Sequence, residues 1–285
     1  MSRTEIVSRG KSAFVDGFEL FDVKLLNDIM LRVAMGGRGD KAPLLMVHRH
    51  PHTHVIWRNV APALAKDRQV ILVDLRGYGD STKPESTPDH RPYSKREMAR
   101  DLQLLLQSLA VKQCDFVGHD RGGRVGHRFA LDWPELVRKA VFIDIAPTAT
   151  MYERTDKEFA SRYFWWFFLI QPAPLPEKLI ASDPTFFLRC IQLPGTARGI
   201  CEDYRASATI DLADDKADAD KRIEAPLHLL WGARGTVGKL YDVVQTWRDK
   251  ATVVTGRALD CGHSPQEECP QEFLSEIRLF LDGNE

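Results

Sequence analysis

The chain reads as an α/β protein, a mostly parallel sheet with helices on both faces and an inserted helical cap. Three observations predict this. Short apolar runs alternate with longer amphipathic stretches along the 285 residues. The runs are continuously apolar, as strands buried on both faces require. One long stretch, residues 148–222, interrupts the rhythm and holds no convincing buried strand.

The elements follow in order. IMLRVAM (29–35) is expected to be an antiparallel strand ahead of the parallel ones. PLLMVH (43–48), QVILVD (69–74), CDFVGHD (114–120), KAVFIDIAP (139–147) and PLHLLWG (226–232) are the buried strands. Residues 93–110 place Met98, Leu102, Leu105 and Leu109 at helical spacing. Residues 239–249 and 268–282 also read as helices. Strands alternating with helices give a parallel sheet. Within 148–222, RYFWWFFLIQPAPLPEKL is read mostly as an aromatic core stripe. The acidic DLADDKADADKR is read as a solvated helix face or loop. The organisation is therefore a core of residues 1–147 and 223–285 carrying a cap of residues 148–222.

Composition narrows the function. The formal net charge is −1, which points away from nucleic acid and from a membrane surface. No run of 18 apolar, uncharged residues is present, so no membrane-spanning helix is expected. The start, MSRTEIVSRGKSAF, lacks the apolar centre of a signal peptide. The five cysteines are odd in number and form no CxxC pair. A reduced, cytoplasmic setting fits them, and a zinc ribbon does not.

The most informative stretch is GHDRG, residues 118–122, between a strand and a helical pattern. It has the form Gly-x-nucleophile-x-Gly, with Asp120 at the centre. A chain turning sharply from strand to helix has no room for side chains two places either side of the apex. The middle side chain is pushed out at a helix N-terminus, where an anion is favoured. Asp144 ends the next buried strand, and His263 lies ahead of the last helix. The chain order nucleophile, acid, histidine is that of the α/β-hydrolases. Asp144 would orient His263, and His263 would act as general base.

Aspartate in place of serine selects the chemistry. A serine attacking an alkyl carbon would give an ether that water does not readily cleave. A carboxylate gives an ester, which water activated by histidine can hydrolyse. Asp120 thus points to displacement at saturated carbon, with halide or epoxide oxygen as leaving group. Arg121 and Arg124 lie three apart at the start of the helix and share a face. Two guanidiniums beside the nucleophile suit a carboxylate substrate, unless internal carboxylates engage them.

GHDRGGRV, IDIAPT, FFLIQPAPLPE and CEDYRA together resemble the haloacetate dehalogenases, including the fluoroacetate dehalogenases, of the α/β-hydrolase superfamily. The similarity spans about residues 15 to 283. The resemblance implies that Asp120 displaces halide from C2. It also implies that Asp144 and His263 complete the triad and that Arg121 and Arg124 hold the carboxylate. Trp165, Trp166 and Tyr204 fall at the family's halide-pocket positions. No metal or organic cofactor is implied, and a homodimer is.

HRHPHTH, residues 48–54, occupies the place of the family's oxyanion loop. Four alternating histidines suggest metal ligands on a strand, but Pro51 breaks that alternation. The backbone N–H groups of His50 and Arg121 are the expected amide hole. Three positions depart from the family. Arg49 stands where it has glycine, which either strains the loop or adds a third cation for the substrate. Trp165 replaces a histidine in the halide pocket, so chloride and bromide should leave more readily than fluoride. The segment between FFLRCIQ and CEDYRA is short by well over ten residues, which would open the site. The expected activity is hydrolysis of a 2-halo acid to the 2-hydroxy acid. The rivals are an epoxide hydrolase using the same Asp120 with cap tyrosines, for which Tyr152, Tyr163 and Tyr204 are the candidates, and a non-catalytic ligand-binding relative.

Overall fold

The structure is a computed structural model that describes residues 4–182 and 189–283. Nine strands form one sheet: β1 (Glu5–Lys11), β2 (Phe18–Lys24), β3 (Met30–Gly36), β4 (Leu44–Val47), β5 (Val70–Val73), β6 (Cys114–His119), β7 (Val137–Ile143), β8 (Leu227–Gly232) and β9 (Val254–Leu259). Their spatial order is β1-β2-β3-β5-β4-β6-β7-β8-β9. β1 to β3 form an antiparallel meander, and β3 pairs antiparallel with β5. From β5 to β9 every pairing is parallel.

The helices are α1 (Ala61–Leu64), α2 (Lys95–Ser108), α3 (Arg121–Asp132), α4 (Thr148–Glu153), α5 (Lys157–Arg162), α6 (Phe164–Leu169), α7 (Leu175–Ser182), α8 (Thr196–Ala208), α9 (Ile210–Ala217), α10 (Val237–Leu240), α11 (Val243–Trp247), α12 (Pro265–Glu268) and α13 (Pro270–Asp282). Alternate residues of β4 show why the apolar runs are continuous. Leu45 and Val47 join the core beneath α2 and α3, while Leu44 and Met46 join the one holding Phe273 and Ile277 of α13. Both faces of the sheet are therefore covered. The chain runs outward from β4 to β5 and then returns across β4 to β6. The carboxyl ends of β4 and β6 thus flank a topological switch point, where open α/β sheets bind ligands.

All five expected buried strands are present, and the 29–35 strand is antiparallel as expected. β1, β2 and β9 are additions. β1 and β9 carry exposed residues along much of their length, so neither produces a continuous apolar run. The helix expected over 239–249 is two short ones. Asp242 interrupts it and caps α11 by accepting from the Gln245 N–H at 3.0 Å.

Among the described residues of 148–222 there are six helices, α4 to α9, and no strand. Part of FFLRCIQ lies outside the described residues. Two expectations here need correction. The acidic stretch is docked against the core rather than merely solvated. Buried Asp211 accepts from the Lys95 N–H at 2.8 Å, and Asp214 and Asp218 pair with Arg96 at 3.0 and 2.7 Å. The aromatic stripe is only partly core, because Trp166 is buried while Phe164 and Trp165 are exposed. No helix among the described residues is long and apolar enough to cross a membrane.

Candidate active site

β6 delivers Asp120 at φ 47° and ψ −111°, immediately before α3. This is a strained setting for a residue with a side chain. The surrounding glycines make it possible. A Cβ at Gly118 would lie 2.6 Å from the Gly122 carbonyl oxygen, and one at Gly122 would lie 2.4 Å from that of Val47. The Asp120 N–H donates to the Ile143 carbonyl at 3.1 Å, and the Gly122 N–H to the His48 carbonyl at 3.1 Å. The elbow is thus pinned to β7 on one side and to the loop after β4 on the other.

Asp144 follows β7, also at positive φ, 51°. Its Oδ2 accepts from His263 Nδ1 at 2.5 Å, and its Oδ1 accepts from the Gly232 N–H at 3.1 Å. Asp144 is buried, so the imidazole is held from one side in a fixed tautomer. His263 Nε2 remains for chemistry. Burial works to raise the pKa of Asp120, but the charges of His263, Arg124 and Arg121 outweigh it and hold the carboxyl below its ordinary value. Asp120 is therefore an anion at neutral pH.

The two arginines of α3 differ. Arg121 is fully buried and forks onto Asp203 of α8, through Nε to Oδ2 at 2.9 Å and Nη2 to Oδ1 at 2.6 Å. Nη2 also reaches Ser207 Oγ at 2.6 Å, which leaves Nη1 with no partner. Among the described residues Arg124 bonds only neutral groups, the Ala146 carbonyl at 3.1 Å, Thr148 Oγ1 at 2.9 Å and Met151 Sδ at 3.1 Å. Its Nε is buried without a partner. Arg121 sits 4.2 Å from the Tyr204 ring centre, and Arg124 4.7 Å from that of Trp166. An internal carboxylate thus does engage Arg121, but it leaves Nη1 unused.

A cavity of about 310 Å³ collects the remaining residues. Arg49, His50, Asp120, Asp144, Trp165, Trp166, Tyr204 and His263 all line it. Arg121 and Arg124 are not among its lining residues and meet it through the rings they sit against. Tyr163, one of the three cap-tyrosine candidates, lines it as well, as do Arg162 and Thr236, which the sequence does not mark. Tyr163 and Trp166 are three apart on α6 and its approach, a spacing that could have marked Tyr163.

The four histidines do four different things. His48 donates from Nδ1 to the Arg49 carbonyl at 2.9 Å and accepts at Nε2 from the Leu75 N–H at 3.0 Å, so it ties the loop to the strand-end beside it. His50 faces the cavity, and burial lowers its pKa to about 4, so it is neutral. His52 Nε2 lies 3.4 Å from Arg49 Nη2. His54 pairs with buried Asp74 at 2.8 Å. No cluster of His, Cys, Asp and Glu able to hold a metal occurs among the described residues. Arg49 is not among the residues at positive φ, so the loop accepts it without left-handed backbone. The N–H groups of His50 and Arg121 donate to nothing else among the described residues and are available as a pair.

The His54–Asp74 pair carries a pH prediction. Burial works to raise the Asp74 pKa, but the His54 charge and hydrogen bonds outweigh it and bring it to about 2. A depressed carboxyl pKa stabilises above the unfolded value and loses that contribution as pH falls through the folded one. The contribution is about 2 kcal/mol, full above roughly pH 5 and about half gone by pH 3. Denaturant unfolding of wild type and Asp74→Asn at pH 6 and pH 3 should show the gap between them shrinking. An equal gap at both pH values removes the ion pair as its cause.

The α/β hydrolase fold family model matches residues 42–187. A fluoroacetate dehalogenase of Burkholderia sp is 37% identical over 93% of this chain and 95% of its own length. A soluble epoxide hydrolase of Corynebacterium sp. (strain C12) is 29% identical over 90% of this chain and 95% of its own. A Salmonella enterica crystal structure, provisionally named an acyltransferase, superposes with a TM-score of 0.95 at 56% identity, covering 97% of this chain and 99% of that one. The sheet order, the strained elbow and these matches agree, and the chain belongs to the α/β-hydrolase family.

Proposed function

We propose that the chain hydrolyses a short 2-halo carboxylic acid to the 2-hydroxy acid through an ester on Asp120. The observation that carries this is Asp120, held as an anion at the elbow, with two buried guanidiniums behind the Tyr204 and Trp166 rings of the cavity wall, each keeping one nitrogen whose N–H has no partner. Those N–H groups suit a substrate carboxylate. A neutral epoxide has no use for them. The fluoroacetate dehalogenase name of the Burkholderia relative supports the same reading.

An Asp120 oxygen attacks C2, and the C–halogen electron pair leaves with the halide. Trp165, Trp166 and Tyr204 line the cavity where an indole or phenol N–H or O–H can bind that charge as it develops. His263 then takes a proton from water, which attacks the ester carbonyl of Asp120. The N–H groups of His50 and Arg121 receive the oxyanion. The alcohol leaves protonated, the carboxylate is restored, and one proton and one halide are released per water consumed. In this reading residues 148–222 cap the core of residues 1–147 and 223–285, no metal or organic cofactor takes part, and the enzyme works as a cytoplasmic homodimer.

Halide release from chloroacetate and fluoroacetate, side by side, tests it. Chloride should appear with wild type and vanish in Asp120→Asn. Fluoride should be released at least ~10-fold more slowly, because fluoride is the poorest halide leaving group and needs the most hydrogen bonding, and a donor misplaced by the bulk of Trp165 costs up to about 10²–10³ in rate. Fluoride release as fast as chloride would remove Trp165 as the limiting feature.

One observation favours a second reading. Tyr163 and Tyr204 both line the cavity, and neither hydroxyl has a hydrogen-bond partner among the described residues. Two free phenols can protonate an epoxide oxygen as it opens. Diol formation from an epoxide, without chloride from any haloacid, would transfer the assignment to epoxide hydrolysis.

A further inference from the structure

Arg49 has no role in the chemistry above, yet it lines the cavity. Among the described residues its side chain makes two long hydrogen bonds, each at 3.4 Å, to the His50 carbonyl oxygen and to His52 Nε2. Its Nε is buried with no partner. Among the described residues no carboxylate forms an ion pair with it. The nearby acids are already used. Glu267 holds Arg58 at 2.9 Å, and Glu268 accepts from the Gly262 and Ser264 N–H groups at 2.7 and 2.9 Å. Asp120 is the nucleophile. A half-buried guanidinium without a counter-ion is costly unless an anion arrives to meet it.

Its position separates it from the other cations. Besides Asp120, the carboxylates acting on Arg49 are those of Glu267 and Glu268, on α12. Arg124 instead feels Asp120, Arg121 and the α6-side Tyr163. Arg49 and Arg124 therefore address Asp120 from different neighbourhoods. The cavity is also larger than a two-carbon acid needs. At about 30 Å³ per water, its volume of about 310 Å³ exceeds that of five-atom chloroacetate several-fold.

We propose that Arg49 selects a dianionic substrate, a halogenated dicarboxylic acid of the 2-halosuccinate type. The carboxylate beside the halogen meets Arg121 and Arg124, and the distal carboxylate meets Arg49. This rests on the dehalogenation reading. The displacement is unchanged, so one water is consumed and the product is a 2-hydroxy dicarboxylate with halide and a proton.

The test compares chloride release from racemic 2-chlorosuccinate and from 2-chlorobutanoate, which has the same chain length and one charge fewer. Wild type should favour the dianion by at least ~10-fold in kcat/KM, since a hydrogen bond to a charged group contributes enough for roughly 10- to 150-fold. In Arg49→Met that preference should fall at least ~10-fold, and Arg49→Lys should recover part of it. Equal use of the two acids by wild type, or a preference unchanged in Arg49→Met, overturns the proposal. Should no haloacid release chloride, the dehalogenation reading fails and binding decides the role of Arg49. Thermal stabilisation by succinate beyond that by butanoate, lost in Arg49→Met, upholds it, and equal stabilisation overturns it.

Discussion

Asp120→Asn should lower kcat for chloride release by at least ~10⁴-fold, the scale seen when a nucleophile is removed. His263→Asn should stop the cycle one step later. With Asp120 intact, the variant still displaces halide, but no base activates water against the ester. It should release about one chloride per protein and then stall. Its intact mass should rise by one carboxymethyl group, mapped to the peptide that holds Asp120. The basis is the division of labour in the site. Asp144 engages His263 Nδ1 at 2.5 Å and leaves Nε2 for the second step, whereas Asp120 stands ionised without any proton transfer for the first. A single turnover in ¹⁸O water, with enzyme in excess, should label the Asp120 carboxylate and leave the glycolate unlabelled. Label in the glycolate would mean that water attacks carbon directly, with Asp120 as a base, and the ester mechanism would be lost.

The sheet was legible where strands are buried on both faces, because such strands must be apolar at every position. β4 to β8 are of this kind. β1 and β9 lie at the two edges of the sheet, with many residues facing solvent, and their composition has no reason to depart from that of a loop. The elbow was legible for a different reason. Gly118 and Gly122 answer a steric demand that is local in sequence, and the close approaches at both positions bear out that demand.

What the sequence concealed depends on partners far along the chain. Nothing local to Arg121 says that Asp203, 82 residues later, will take three of its bonds. The distinction between Arg121, ion-paired but with Nη1 left over, and Arg124, which has no ion pair among the described residues, appears only once Asp203 of α8 meets α3. HRHPHTH misleads in the opposite direction. Four histidines close in sequence suggest one shared purpose, but a turn and a short 3₁₀ helix at His54–Trp57 send them to separate neighbours. Tyr163 could be named only as one of three candidate cap tyrosines, because inside an aromatic run composition alone cannot separate cavity walls from packing.

Asp203→Ala should cost about 3–5 kcal/mol of stability, the scale for breaking a buried ion pair from one side. At roughly 2–4 °C per kcal/mol for a chain approaching this size, Tm should fall by about 10 °C. Asp203 is fully buried and binds Arg121 of α3, Lys95 of α2 and the Tyr78 hydroxyl, the last at 2.6 Å. Removing it leaves Arg121 with no ion pair among the described residues, Lys95 with only Asp211 at 3.4 Å, and a buried phenol without its acceptor. Asp203→Asn keeps the shape and loses the charge, so it should lie between. A Tm within 2 °C of wild type would mean that these bonds behave like an exposed pair, worth under about 1 kcal/mol. The pH dependence has a fixed sign. Burial opposes ionisation of Asp203, but Arg121 and Lys95 outweigh it and hold its pKa well below normal. Its contribution is therefore full above roughly pH 5 and is lost as pH falls below about 4. Catalysis should feel the change too. The two-point fork onto Asp203 fixes the guanidinium plane and hence the direction of the free Nη1, so KM for chloroacetate in Asp203→Asn should rise more than kcat falls, measured below its unfolding range. Tyr204 is the next residue on α8. In the proposed reading the helix that holds Arg121 thus also carries the ring assigned to the halide, and a disturbance at Asp203 should reach both ends of the substrate at once.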